Sequence, residues 1–179
     1  KSVFLSFALF LSFGFSQEFS ASLTATGPGS DYEMTFGFNP SATDGYDGDF
    51  DMYAPPAPPP PAFDAALGWG GDRYYTQILA GDGELSEHEY DINLAYGSDN
   101  LITITWDNTG WSDLMSSCIL QDAFGGMMIN VDMLATNSQT LDNPAFTGLK
   151  LKVTPNDYTT PSENTPPVAG FYWDAEDLL

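Results

Sequence analysis

The densest group of residues with chemical potential is an aspartate-rich stretch, Asp-Gly-Tyr-Asp-Gly-Asp-Phe-Asp, at residues 44–51. Calcium takes about six to eight oxygen ligands, and glycines allow several carboxylates to converge with backbone carbonyls. The predicted calcium ligands are Asp44, Asp47, Asp49 and Asp51. An EF-hand is excluded, because Met52 and Pro58 stand where its loop needs glycine and glutamate. A solvated acidic turn without a cofactor is the alternative interpretation.

A second group consists of aromatic residues in glycine-rich or polar surroundings. They are Trp69, Tyr74, Tyr75 and Trp111. An aromatic ring offers a broad apolar face with a polar handle, which suits stacking on a sugar ring. The same properties suit the edge of a core, so packing is the alternative to a carbohydrate platform.

Catalytic motifs are missing from the sequence. It has no Gly-x-Ser-x-Gly elbow, no His-Glu-x-x-His pair and no phosphate-binding glycine loop. Cys118 is the single cysteine, so an internal disulfide is impossible, and its apolar neighbours favour burial over a catalytic thiol. The only histidine, His88, lies between two glutamates. We therefore expect no enzymatic activity from this chain.

The charge balance restricts the partners. The formal net charge is −21, with 25 acidic residues against four lysines and arginines. Nucleic acid is excluded as a partner, because neutralising phosphates needs clustered cations. Anionic membranes are disfavoured for the same reason. Such a chain is suited to a saline or calcium-containing exterior, where ions screen its self-repulsion.

The first sixteen residues are typical of a secretory signal peptide. Lys1 precedes an almost wholly apolar run from Val3 to Phe15, and Gly14-Phe15-Ser16 is a small-x-small cleavage tripeptide. The run is shorter than the roughly 20 apolar residues that a transmembrane helix needs. We expect cleavage after Ser16, no stable membrane insertion afterwards, and a secreted or cell-surface location.

The remaining pattern predicts an all-β fold. Apolar and aromatic residues alternate with polar ones in short runs at residues 20–26, 34–38, 74–79, 90–96, 101–106, 119–124, 127–133 and 147–153. This arrangement favours an antiparallel β-sandwich, with jelly-roll and immunoglobulin-like topologies as alternatives. The predicted core is Ile92, Leu94, Ile102, Ile104, Trp106, Leu120, Ile129, Val131, Leu149 and Leu151. The strongest hairpin prediction joins 90–96 to 101–106 through the turn at 97–100.

Proline-rich stretches suggest the domain boundaries. Residues 54–62 read Ala-Pro-Pro-Ala-Pro-Pro-Pro-Pro-Ala and must be extended. Too few residues precede them for an independent domain, so we interpret them as a crossover within one sandwich spanning 17–154. Residues 155–170 have the composition of a linker, and residues 171–179 suggest the start of a further element or a tail.

One resemblance to a known class of module adds to this interpretation. The chain resembles a β-sandwich module of large secreted or cell-surface proteins from marine and Bacteroidetes-like bacteria, which often carry type IX secretion sorting domains or dockerin-like tails. The likeness rests on residues 36–47, 54–60, 69–78, 102–107, 120–122 and 149–153 and covers about 34–153. It implies a non-catalytic extracellular module and carries over no catalytic residue.

The expected function is therefore that of a structural or adhesive module in a larger multimodular protein. A carbohydrate-binding module is the first alternative, and the accessory domain of a truncated secreted hydrolase is the second. The expected partners are a polysaccharide or another cell-surface protein.

Overall fold

The computed structural model of the chain describes residues 18–81 and 83–156. Almost all regular structure in these ranges is β-strand, which confirms the predicted all-β class. The strands are β1 (Phe19–Gly27), β2 (Ser30–Asn39), β3 (Met52–Tyr53), β4 (Asp64–Trp69), β5 (Asp72–Ala80), β6 (His88–Ala95), β7 (Ile102–Trp106), β8 (Met115–Asp122), β9 (Asn130–Asp132), β10 (Ser138–Leu141) and β11 (Gly148–Pro155). A single helical turn, α1 (Trp111–Leu114), precedes β8.

All eleven strands hydrogen-bond into one continuous sheet. The order is β10-β7-β1-β2-β5-β4-β6-β11-β8-β9, and β3 adds to β5. Every pairing is antiparallel except that of β2 with β5. The sheet is nearly closed on itself, because β10 and the residues just before β9 line one groove. The finer prediction of two packed sheets is not confirmed, since the ladder has no break along this path.

The predicted hairpin between β6 and β7 is wrong. β6 pairs with β4 and β11, whereas β7 pairs with β1 and β10. The turn at 97–100 therefore connects strands in separate parts of the sheet. Alternation identifies the face of a strand that is buried, but it contains no information on which strand lies beside it.

The core agrees closely with the predicted residues. Nine of the ten are buried, and Val131 is half-buried against the same cluster. Trp106 is anchored as well as buried, because its indole Nε1 donates to the carbonyls of Met133 at 2.9 Å and Thr136 at 2.7 Å. These bonds tie β7 to the connection between β9 and β10, where the sheet has its two edges.

The proline-rich segment connects two strands of this same sheet. It begins after β3 and ends before β4, and both strands pair with β5. The predicted signal peptide at 1–16 and the tail at 171–179 lie outside the described residues, as does most of the predicted linker; Pro155 is the last residue of β11. Within the described ranges, no helix has the length and apolar character to cross a membrane.

Candidate functional site

The hairpin between β4 and β5 presents an exposed tryptophan. Trp69 and Asp72 are directly opposite each other, and only Gly70 and Gly71 connect them. Both glycines have positive φ, at 62° and 94°, which a two-residue type I′ turn requires. The Trp69 side chain is left 46% exposed at the end of the ladder. The turn thus fixes an indole and a carboxylate side by side at the surface.

A pocket of about 320 Å³ lies beside this indole and is called the Trp69 pocket below. Its lining consists of Gly68, Trp69, Gly70, Gly71, Asp72, Arg73, Asp91 and Asn93. A Cβ on Gly68 would come within 2.2 Å of the Asn93 side-chain nitrogen. The missing side chain at residue 68 therefore makes room for the Asn93 amide in the lining of the pocket.

The charges around the Trp69 pocket are partly compensated. Arg73 Nη2 donates to Asp64 Oδ2 at 2.5 Å, while its buried Nη1 has no hydrogen-bond partner in the ranges 18–81 and 83–156. Asp91 forms an ion pair with Lys150 on β11. The lining of the pocket therefore combines an aromatic residue, an amide, carboxylates and a guanidinium that is paired with Asp64.

The other predicted aromatic residues do not join Trp69 in one platform. Trp111 is buried, and its ring meets that of Phe36 edge-on at 5.7 Å. Tyr74 is also buried and stacks under Tyr53 with ring centroids 5.0 Å apart. Burial, reinforced by the Tyr53 hydroxyl, raises the pKa of Tyr74 to about 12. Tyr75, the fourth residue, is half-buried.

The aspartate-rich stretch covers one edge of β5. Asp51 Oδ1 accepts the backbone N–H of Ile78 at 2.8 Å, and Asp44 Oδ1 accepts that of Ala80 at 3.2 Å. Residues 78 and 80 are two apart, so their N–H groups point to the same side of the strand. Two side-chain carboxylates therefore take the place of a neighbouring strand beyond the short β3.

The remaining contacts of this stretch hold its own loop. Asp51 Oδ2 accepts the N–H of Asp47 at 2.9 Å, and Asp47 Oδ2 accepts the N–H of Thr43 at 2.6 Å. Asp49 instead lines a cavity against β1 and β2. No group of three or more metal-ligating side chains is assembled within the described residues. Calcium binding by the four aspartates stays a prediction.

Sequence reasoning predicted a tight turn at Gly125-Gly126 between strands at 119–124 and 127–133, but the structure has a longer loop there, from the end of β8 at Asp122 to the start of β9 at Asn130. Its centre is the buried Asp122, whose carboxylate accepts the N–H groups of Phe124 at 2.8 Å and of Met128 and Ile129 at 2.7 Å each. These hydrogen bonds hold the pKa of Asp122 below its ordinary value, and the bond from Ile129 has the largest effect. The signal in the sequence is an aspartate at a strand end followed within four residues by Gly125 and Gly126.

The same loop exposes large apolar side chains. Phe124 is 70% exposed, Met127 84% and Met128 71%. Solvent-exposed apolar side chains are ordinary when scattered, and a group of three in one loop is a candidate interaction surface. Asp122 holds the backbone that carries them, so they are presented from a fixed loop.

Cys118 has the predicted buried role. Its thiol lies in the core at 3.7 Å from the Met133 sulfur, and burial raises its pKa well above the ordinary range. A protonated, inaccessible thiol is a poor nucleophile.

Comparison with known proteins adds no relative to this description. No family model, curated protein or solved structure matches the chain.

Proposed function

We propose that this chain is a non-catalytic, extracellular adhesive module, and that it adheres by binding a neutral carbohydrate in the Trp69 pocket. The single observation that carries the proposal is a pocket whose lining combines the 46% exposed Trp69 with the polar residues Asp72, Asp91 and Asn93. The signal-peptide pattern of residues 1–16 supports export, and the all-β fold suits a module of a secreted or cell-surface protein.

The chemistry of the pocket matches the two surfaces of a sugar. A pyranose has an apolar face of C–H groups and a rim of hydroxyls that both donate and accept hydrogen bonds. The indole of Trp69 provides the apolar contact. The Asn93 amide donates and accepts, and the carboxylate of Asp72 accepts. A small-molecule site is usually lined by apolar or aromatic side chains together with a small number of polar groups.

Charge favours a neutral sugar over an acidic one. The chain carries a net charge of −21, and two aspartates line the pocket. Uronic acids and sulfated sugars would be repelled by this field, and Arg73 is already paired with Asp64. A neutral oligosaccharide incurs no such cost.

The test is an array of neutral and acidic oligosaccharides, followed by calorimetric titration of each binder. We expect Trp69→Ala to weaken binding at least about tenfold, since an aromatic contact and its burial contribute roughly 1.5 kcal/mol or more. The matched control is Tyr53→Ala, which removes another exposed aromatic ring outside the pocket. Binding that survives Trp69→Ala, or that is lost equally in Tyr53→Ala, would contradict the proposed site.

A substitution at the pocket floor sharpens the test. Gly68→Ala places a methyl group 2.2 Å from the Asn93 side-chain nitrogen, so the Asn93 amide must shift. We expect weaker binding and an unchanged Trp69 exposure. If the affinity of Gly68→Ala equals that of the wild type, the Asn93 amide does not contact the sugar.

A second candidate function is adhesion to a protein, and the exposed apolar loop after β8 favours it. Methionine side chains adapt to irregular partner surfaces. A double substitution of Phe124→Ser and Met128→Ser keeps Asp122 and both glycines. We expect it to abolish binding to any extracellular protein that the wild type binds while leaving sugar binding intact. Equal binding by the variant would exclude this loop as the contact.

A further inference from the structure

A separate cavity opens where β2 and β5 diverge. The β2–β5 ladder begins at the pair Thr35 and Thr76, so the residues before this pair are not bonded to each other. A cavity of about 350 Å³ lies there, lined by Asp31, Tyr32, Glu33, Met52 and Tyr75. None of these residues lines the Trp69 pocket. We call this space the tyrosine cavity.

Its aromatic wall is held in place by contacts on the side of the core. The Tyr32 hydroxyl donates to the Phe63 carbonyl at 3.3 Å, and the Tyr32 ring meets the Phe63 ring edge-on at 5.3 Å. The rings of Tyr32 and Tyr75 are stacked at 6.1 Å with planes 28° apart. Two nearly parallel phenol rings with fixed positions form a preorganised surface, so a ligand would meet them without an ordering cost.

The carboxylates at this cavity lack a protein counter-ion. Asp31 and Glu33 are two residues apart on β2 and project from the same face, whereas Tyr32 between them projects from the other, so the carboxylates line the cavity from the solvent side and Tyr32 from the side of the core. In the ranges 18–81 and 83–156 every lysine and arginine is engaged elsewhere: Arg73 with Asp64, Lys150 with Glu89 and Asp91, and Lys152 with Glu87. The negative charge at the cavity is therefore balanced only from outside the sheet.

We propose that the tyrosine cavity binds a large, weakly hydrated organic cation, of the alkylammonium or guanidinium type. The rings of Tyr32 and Tyr75 attract such a cation through their negative faces. The thioether and chain of Met52 contact its apolar surface, and Asp31 with Glu33 compensate its charge. A metal ion fits less well, because it requires a shell of oxygen ligands that rings and a thioether do not supply.

The same chemistry has two sources, a free quaternary ammonium compound and an arginine side chain on a partner protein. Full-length protein is therefore titrated with tetramethylammonium chloride in one arm and with acetyl-arginine amide in the other. Sodium chloride at matched ionic strength is the reference for screening of the acidic chain. The readouts are the dissociation constant from calorimetry and the chemical shifts of the tyrosine ring protons.

We expect saturable binding in at least one arm and none with sodium. Glu33→Gln should weaken the binding of the organic cation by about three- to tenfold, and Tyr75→Leu should weaken it by about tenfold. Asp113→Asn, which removes one exposed negative charge on α1, should leave it unchanged within about twofold. Glu33→Gln changes only an exposed side chain, so it remains informative if Tyr75→Leu unfolds.

Several outcomes would overturn the proposal. They are identical shifts with sodium and with both organic cations, an equal effect of Asp113→Asn and Glu33→Gln, or binding that persists in both cavity variants. Trp69→Ala should have no effect on cation binding, so failure here is distinguishable from failure of the carbohydrate proposal.

Discussion

Two loops of this molecule are organised by aspartate carboxylates, and they do so in opposite ways. In the loop at residues 43–51 several carboxylates each accept one or two backbone N–H groups, and two of these carboxylates bond to β5. In the loop after β8 one buried carboxylate, that of Asp122, accepts three backbone N–H groups by itself. The density of acidic residues is thus a poor guide to their role. The number of otherwise unpaired N–H groups within reach decides it.

The strongest way to break this comparison is to remove Asp122. Asp122→Ala leaves the N–H groups of Phe124, Met128 and Ile129 without their acceptor, two of them at part-buried positions and that of Ile129 at a buried one. We expect the thermal midpoint to fall by at least about 8 °C, because each orphaned donor is costly. Differential scanning calorimetry measures the shift. A fall of under about 2 °C would mean that water replaces the carboxylate.

Removing a carboxylate from the denser loop should have a smaller effect. Asp51→Ala orphans the N–H groups of Ile78 and Asp47, and we expect a fall of about 3–6 °C. The control is Asp49→Ala, because Asp49 accepts no hydrogen bond within the described residues and should shift the midpoint by under about 1 °C. Equal shifts for the two variants would show that net charge, rather than edge coverage, is responsible.

Lowering the pH should reveal how much stability the Asp122 carboxylate contributes to the loop after β8. Backbone N–H groups hold the pKa of Asp122 below its ordinary value, so the folded chain keeps this carboxylate charged at lower pH than the unfolded chain does. The resulting stability is present above the unfolded pKa of about 4 and is lost as pH falls through the folded pKa. We expect the midpoint of the wild type to fall more steeply between about pH 5 and pH 2 than that of Asp122→Asn. Parallel curves would contradict this assignment.

The smallest effect concerns calcium. In the 43–51 loop Asp44, Asp47 and Asp51 already accept backbone N–H groups, so a cation would compete with these bonds. These bonds favour the alternative interpretation, an acidic turn without a cofactor, under which calcium chloride raises the midpoint no more than sodium chloride at matched ionic strength. A larger rise with calcium that disappears in Asp49→Asn would establish a second role for this loop.

Alternation along the chain was sufficient to predict the strand type and most of the core. Ile92 and Leu94 on β6, and Leu149 and Leu151 on β11, are buried as their spacing indicates. Pairing was not predictable, because β6 and β7 have the same pattern and their partners depend on distant segments. β4 was missed altogether, since Ala-Ala-Leu-Gly has few β-branched or aromatic residues and becomes a strand through its neighbours.

The candidate site was predictable only in part. The glycine-rich and polar contexts left both a carbohydrate platform and packing open for Trp69 and Trp111. Trp69 is exposed at a two-residue turn, whereas α1 turns the Trp111 ring into the core against Phe36. The tyrosine cavity was beyond prediction, because its walls come from β2, β3 and β5, which only the fold brings together.

The placement of the cationic residues has a practical consequence for proteolysis. Trypsin cleaves after lysine and arginine, and beyond Lys1 the chain offers it only Arg73, Lys150 and Lys152. All three lie within hydrogen-bonded strands, β5 and β11. A protease needs an extended, unpaired backbone, so cleavage at these residues requires the sheet to open. Where the sheet recloses faster than trypsin cleaves, the rate of tryptic digestion therefore reports the fraction of molecules in which β5 or β11 is open, with no label and no chromophore.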